Sequence, residues 1–176
     1  MVLKVAAASP RGPASALPSY RPGVVFAHAE AAGPRAGEAA AERILLIEDD
    51  FLVAAQIEAA LIEAGFQIAG IGASADEAIE LASSQRPVLC VMDIRLTGRG
   101  DGIEAAIEIF EAHGIRCIFA TAHFDHDTRV RAEKALPRGW LQKPFSIVSL
   151  VAAVRGAVRE LRGRNQVSQL PGAPVA

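Results

Sequence analysis

Ile44-Leu45-Leu46-Ile47-Glu48-Asp49-Asp50 joins an unbroken apolar run to three consecutive acids. A strand that is apolar at every position, with no polar alternation, is covered on both faces, as in the centre of a parallel sheet. The acids then stand at its carboxyl end, which is where open α/β sheets bind their ligands. The same punctuation recurs downstream. The run 88–92 stops at Asp93, 116–120 stops at Thr121, and 140–142 stops at Lys143. Only the run 66–71 ends on no functional group, as expected of an edge strand that contributes little to a ligand crevice.

Helical patterns fill the intervals. The first is expected over about 51–64, with Phe51, Ala54, Ala55, Ile57, Leu61 and Ile62 on its buried side and Gly65 as its stop. Ser74-Ala75-Asp76-Glu77 is a capping-box pattern opening a helix to about residue 84. After a loop carrying Gly98, Gly100 and Gly102, a helix runs to His113 and ends at Gly114. A short polar helix follows from about Asp125, and Ser146 caps a long last helix ending near Arg162. Five βα units with short connections and right-handed crossovers make a doubly wound, five-stranded parallel α/β sheet with five helices.

The flanks differ. Residues 1–42 are rich in Ala, Pro and Gly without periodicity and are expected to be a disordered extension. An acid-poor, Arg-containing start also suggests an organellar transit peptide, but Glu30, Glu38 and the prolines argue against one. A start codon assigned too early is another explanation. Residues 43–162 form the domain, and 163–176 read as a disordered tail.

A net charge of −2 over 176 residues gives no bulk attraction to nucleic acid or anionic lipid. No apolar stretch approaches the roughly 20 residues that span a bilayer. Cys90 and Cys117 both fall inside apolar runs and are expected to be buried, reduced thiols, which favours the cytoplasm. Arg155, Arg159 and Arg162 share one stripe of the last helix. A solvated face explains them most simply, then a contact for an acidic protein, and nucleic acid last.

Glu48, Asp49 and Asp93 carry the chemistry. Two carboxylates 4 Å apart repel by about 4 kcal/mol at an effective dielectric near 20, so three need a cation or a proton. With no Cys or supporting His nearby, a hard, oxygen-seeking ion such as Mg²⁺ fits. If the acids only capped the next helix, Asp93 would go unexplained, although Asp50 is accounted for as a cap. Lys143 and Thr121 offer an ammonium and a hydroxyl to phosphoryl oxygens on Asp93. Carboxylates do form acyl phosphates as covalent intermediates, and phosphoryl transfer requires mainly positioning and charge neutralisation.

Ile44-Leu45-Leu46-Ile47-Glu48-Asp49-Asp50, Val91-Met92-Asp93-Ile94, Phe119-Ala120-Thr121-Ala122 and Lys143-Pro144-Phe145 together resemble a bacterial response-regulator receiver domain over residues 43–162. The resemblance implies a flavodoxin-like sheet of order 2-1-3-4-5, a strand order cited for a chemotaxis member of that family. It implies Asp93 as phosphoacceptor, Mg²⁺ held by Glu48, Asp49, Asp93 and the main-chain carbonyl of Arg95, and Thr121 and Lys143 as readers of the phosphoryl group. A cis Lys143–Pro144 bond is also implied. The donor would be a histidine kinase or histidine phosphotransfer protein, with an unassigned protein target, a homodimer as one option, and neither nucleic acid nor membrane. With no output module recognisable after the last helix, the chain resembles a stand-alone receiver.

Three positions depart from or qualify the pattern. Trp140 stands where the family has Tyr or Phe that turns inward as Thr121 moves, and it is read either as that switch or as a fixed anchor. Phe119-Ala120-Thr121-Ala122-His123-Phe124 partly resembles the Phe-Ala-Thr-Gly-x-Tyr motif of alphaproteobacterial single-domain regulators associated with stress-signalling kinases, with Ala122 for Gly and Phe124 for Tyr. His123 and Arg95 lie two residues past Thr121 and Asp93, where side chains influence the lifetime of the phosphoryl group. The leading expectation is therefore a phosphorylation-controlled signalling module of a two-component system, not an enzyme beyond its own phosphorylation and autodephosphorylation. The alternatives are a phosphate sink or shuttle and an Mg²⁺-dependent phosphohydrolase. Asp93-Ile94-Arg95 lacks the second acid that haloacid-dehalogenase-like phosphatases carry two residues on.

Overall fold

The computed structural model describes residues 41–122 and 125–167, without the side chains of 164–167. The expected extension up to residue 40, the tail beyond 167, and His123 and Phe124 lie outside the described residues. Along the chain run β1 (Arg43–Ile47), α1 (Phe51–Glu63), β2 (Gln67–Gly72), α2 (Ala75–Gln85), β3 (Leu89–Asp93) and α3 (Gly102–His113). Then come β4 (Arg116–Thr121), α4 (His126–Ala132), a 3-10 turn (Glu133–Ala135), β5 (Gly139–Gln142) and α5 (Ile147–Val167). All strand pairings are parallel, in the order β2-β1-β3-β4-β5.

The continuous apolar runs follow from this arrangement. Leu45, Ile47, Cys90, Met92, Cys117 and Phe119 face one side of the sheet, against Ala78 and Ala82 of α2, Ile103 and Ile109 of α3, and Ala132 of α4. Ile44, Leu46, Leu89, Val91, Ile118 and Ala120 face the other, against Ile57 and Leu61 of α1 and Leu150, Val154 and Val158 of α5. Because successive side chains alternate between faces and both faces are covered, no position in β1 beyond Arg43 can be polar. Cys90 and Cys117 are opposite each other in the β3–β4 register, buried and unbridged. Burial is the main cause lifting both thiol pKa values.

Helix termini obey their sequence signals. Asp50 Oδ1 caps α1 by accepting from the N–H groups of Leu52 and Val53 at 2.9 and 3.2 Å, which is the capping role anticipated for it. Ser74 Oγ accepts from Glu77 N–H at 3.3 Å, while the Glu77 carboxylate accepts from Ala73 N–H at 2.7 Å. Gly114 ends α3 at φ 68°, and Ser146 Oγ accepts from Ser149 N–H at 3.0 Å.

Several expectations need correction. Phe51 and Ile62 are 69% and 49% exposed. Helix α1 is apolar nearly all round, so its sequence hides its orientation, and it packs through Ala54, Ile57, Ala60 and Leu61. Helix α5 continues to Val167, past the expected end near Arg162, and this helical continuation takes up the first part of the segment expected to be a tail. Glu42, placed in the extension, accepts from Gln67 N–H at 2.9 Å through its carbonyl and pairs with Arg162 through its carboxylate. Arg155 donates to the Ala64 carbonyl at 3.1 Å. Two arginines of the α5 stripe thus have partners within the domain. Among the described residues no helix is long and apolar enough to cross a membrane.

Candidate functional site

Adjacent strands bring the acids together. In the β1–β3 register Ile47 lies opposite Met92, so Glu48 and Asp93, each one residue further, emerge side by side at the carboxyl edge. The main chain of Glu48 is held by its N–H donating to the Gly72 carbonyl at 2.9 Å. One carboxylate oxygen each from Glu48, Asp49 and Asp93 lie within 4.8 Å of one another. Glu48 and Asp93 are buried, at 4% and 7% exposure, whereas Asp49 faces solvent.

Lys143 reaches them from β5, the far edge strand. Thr121 and Gln142 are register partners, and Lys143 N–H donates to the Thr121 carbonyl at 2.8 Å, so the main chain sets the lysine over the acids. Its Nζ donates to Glu48 Oε2 at 2.5 Å and to Asp93 Oδ2 at 2.6 Å. The Lys143–Pro144 peptide is cis, as expected. Asp93 Oδ1 accepts from the main-chain N–H of Arg95 at 3.0 Å. Thr121 is buried at the same edge.

Burial is the largest influence on Glu48 and raises its pKa; the nearby Asp93 charge adds to this, and the hydrogen bond from Lys143 opposes it without cancelling it. Burial acts on Lys143 in the opposite sense, lowering its pKa, but hydrogen bonds to Asp93 and Glu48 together with their charges outweigh it and leave the ammonium strengthened. One lysine shared by two buried acids, with Asp49 alongside, leaves negative charge in excess. Carboxylate oxygens without Cys or His suit a hard divalent cation such as Mg²⁺, so the residues present fit that group.

The structure unites Glu48, Asp49, Asp93 and Lys143 in one cluster and puts Thr121 at the same edge. Trp140 lies apart from the acids. Its ring packs on Phe119 with centroids 4.9 Å apart and planes tilted by 36°. It lines a shallow groove of about 440 Å³ with Arg116, Arg129, Glu133, Leu136 and Pro137. Arg95 is exposed and engages Asp93 through its N–H. Asp101 and Arg131 carry no motif of their own in the sequence, and Gly102 stands out there only as a loop glycine. The Asp101-Gly102 pair closing a glycine-rich loop was the available signal, because such a pair joins a cap to a position without a side chain.

The sequence pattern described as the response regulator receiver domain matches residues 44–155, well over half of the chain and inclusive of every acid and the lysine described above. The chain belongs to the response regulator receiver domain family. Receiver domains are regulators of two-component systems that take phosphoryl groups from histidine kinases or phosphotransfer proteins. This receiver domain is 37% identical over 134 residues to the transcriptional regulatory protein PdtaR of Mycobacterium tuberculosis, covering 76% of this chain and 62% of PdtaR. It is 30% identical over 119 residues to the phyllosphere-induced regulator PhyR of Methylorubrum extorquens, covering 67% of this chain and 44% of PhyR. The chain thus spans less than two thirds of either relative. Among solved structures, the signal receiver domain of a modulated diguanylate cyclase from Desulfovibrio desulfuricans G20 superposes with a TM-score of 0.66 at 29% identity, covering 70% of this chain and 98% of that domain.

Proposed function

We propose that Asp93 is the phosphoacceptor of this receiver domain and that the acquired phosphoryl group changes the protein's contacts with a protein target. The observation that carries this reading is the bridge from Lys143 Nζ to both Asp93 and Glu48, an ammonium already stationed where new phosphoryl oxygens would appear. In the transfer an Asp93 oxygen forms the O–P bond as the P–N bond of a phosphohistidine breaks, and that electron pair returns to the imidazole nitrogen. Lys143 then answers the added charge of roughly −1.5 to −2, and Thr121 offers its hydroxyl to another oxygen. Glu48, Asp49 and Asp93, with the Arg95 carbonyl, are the residues that would hold Mg²⁺, which when bound neutralises charge on the acids and the phosphoryl group.

The donor is a histidine kinase or phosphotransfer protein that must present its phosphohistidine to this edge. Phe51, Leu52, Ile147 and Val148 are 69%, 70%, 43% and 78% exposed. They occupy the first turns of α1 and α5, on one side of the sheet and close in sequence to the site. Exposed apolar side chains beside a reactive edge are suited to a transient partner.

Incubation with labelled acetyl phosphate and Mg²⁺ tests the assignment. Wild type should incorporate label, EDTA should prevent it, and Asp93→Asn should lose it by at least about a hundredfold, the scale on which chemistry is lost with its nucleophile. Undiminished labelling of Asp93→Asn refutes the reading.

A further inference from the structure

The loop leading from Asp93 into α3 is tied to α4 by two neighbouring residues that the phosphoryl chemistry above does not use. Asp101 divides its carboxylate between two tasks. Oδ1 caps α3, accepting from the N–H groups of Ile103 and Glu104, each at 3.0 Å. Oδ2 accepts from the Arg131 guanidinium of α4 at 2.5 Å. The next residue, Gly102, is pressed against the reactive strand, where a Cβ would stand 1.9 Å from the Asp93 carbonyl oxygen. Its N–H donates to the Ile94 carbonyl at 2.9 Å. A side chain on α4 is therefore connected, through Asp101 and Gly102, to the peptide of Asp93 itself.

We propose that Asp101 and Arg131 are positioning residues that couple α4 to the phosphoryl state of Asp93 by a route separate from Thr121 and Lys143. This rests on Asp93 being the phosphoacceptor. The close approach at Gly102 leaves no slack, so a shift of the 93–94 peptide on phosphorylation displaces Gly102 and Asp101 with it. Asp101 must then either carry Arg131 along or release it. Release leaves the α3 cap intact, because the cap uses the other oxygen. The tie is 50% exposed at Arg131 and 29% at Asp101, and such exposed pairs are weak enough to be exchanged reversibly. Arg131 stays charged throughout: Asp101 first, then Glu104 and Asp125, hold its pKa above the ordinary value.

The test uses the full chain as wild type, Asp101→Asn, Arg131→Ala and Arg131→Lys. Amide hydrogen exchange over residues 126–135 is measured with and without Mg²⁺ and beryllofluoride, and acetyl phosphate labelling is measured in parallel. Wild type should change its exchange in α4 on adding the mimic. Asp101→Asn and Arg131→Ala should shrink that change by about twofold or more, the scale of an exposed ion pair, and Arg131→Lys should retain most of it. Labelling of the three variants should stay within about twofold of wild type. Asp101→Asn keeps a good cap, since Asn serves there as well as Asp, so it decides the matter even if Arg131→Ala folds poorly. An α4 that ignores the mimic in a labelled wild type, or variants that respond like wild type, overturns the coupling alone. Absence of label in wild type would instead remove the phosphoacceptor reading, and the coupling with it.

Discussion

The carboxyl edge of the sheet and its amino edge use the same kinds of charged side chain under opposite conditions. At the carboxyl edge Glu48 and Asp93 are buried and share one lysine, with a third acid beside them. At the amino edge Arg43 donates to the carbonyl and side chain of Gln85 at 2.7 Å each, Arg138 pairs with Glu160 at 3.4 Å, and Arg162 pairs with Glu42. These contacts join helices to the starts of strands, with Glu160 and Arg162 open to solvent and Arg138 mostly covered. At the amino edge each arginine meets one acid or neutral polar partner, whereas at the carboxyl edge two buried acids share one lysine, an excess of negative charge that suits a cation. The contrast extends from side chains to main chain, and it can be broken experimentally at three levels.

The largest effect should come from packing at the carboxyl edge. Gly102→Ala forces a methyl group to within 1.9 Å of a backbone oxygen, which only movement of α3 or β3 can relieve, and should cost about 3 kcal/mol in urea unfolding. Gly114→Ala is the control from the opposite edge. There the added Cβ meets nothing within 4 Å, but φ is +68°, so only left-handed strain applies, about 1 kcal/mol. Equal losses at the two glycines would mean that the close approach at Asp93 is readily relaxed, and the tight link through Gly102 would go with it.

These glycines also show how much the sequence disclosed. The continuous runs 44–47 and 89–92 declare strands buried on both faces, and the acids that end them declare where the acidic cluster assembles, although Val88, read into the second run, lies before β3 and is 37% exposed. Helix caps at Asp50, Ser74 and Ser146 were legible for the same local reason. The orientation of α1 was not, since Phe51 and Ile62 are as apolar as Ile57 and only tertiary packing decides which of them is covered. Nor was the partnership of Asp101 with Arg131, 30 residues apart in sequence, because capping alone accounts for Asp101. Trp140 was read as either switch or anchor; its stacking on Phe119 ties it to the strand that ends in Thr121, a placement that spacing does not supply.

An intermediate effect should appear as a pH dependence of opposite sign to that of an ordinary paired carboxylate. Burial raises Glu48 above its usual pKa of 4.5, so the native state keeps a proton that the unfolded chain has released. The resulting stabilisation is full below pH 4.5 and is lost as pH rises through the folded pKa. In EDTA, Glu48→Gln should therefore melt about 3 °C above wild type at pH 7, and the two should converge towards pH 4.5. Added Mg²⁺ should raise the wild-type midpoint through ligand linkage and leave the variant nearly unmoved. A Glu48→Gln protein that melts below wild type in EDTA at pH 7 would show that the carboxyl edge is not holding excess charge.

The smallest effect belongs to the amino edge. Arg162 is 55% exposed and its partner Glu42 19%. Solvent screens such a pair, and holding two long side chains in one geometry costs entropy, so exposed pairs contribute about 0–1 kcal/mol. Arg162→Ala should lower stability by about 0.5 kcal/mol. Most of that difference should vanish in 1 M salt, where the screening length falls to about 3 Å. Acetyl phosphate labelling should be unchanged, because no contact described above leads from Arg162 to the acids. Arg155→Ala makes the comparison finer. Its guanidinium donates to the Ala64 carbonyl just past the end of α1, where a cation also meets the helix dipole, so it should cost slightly more than Arg162 and lose less of that cost in salt. A labelling rate that followed either arginine would tie the two edges together and refute the division of labour between them.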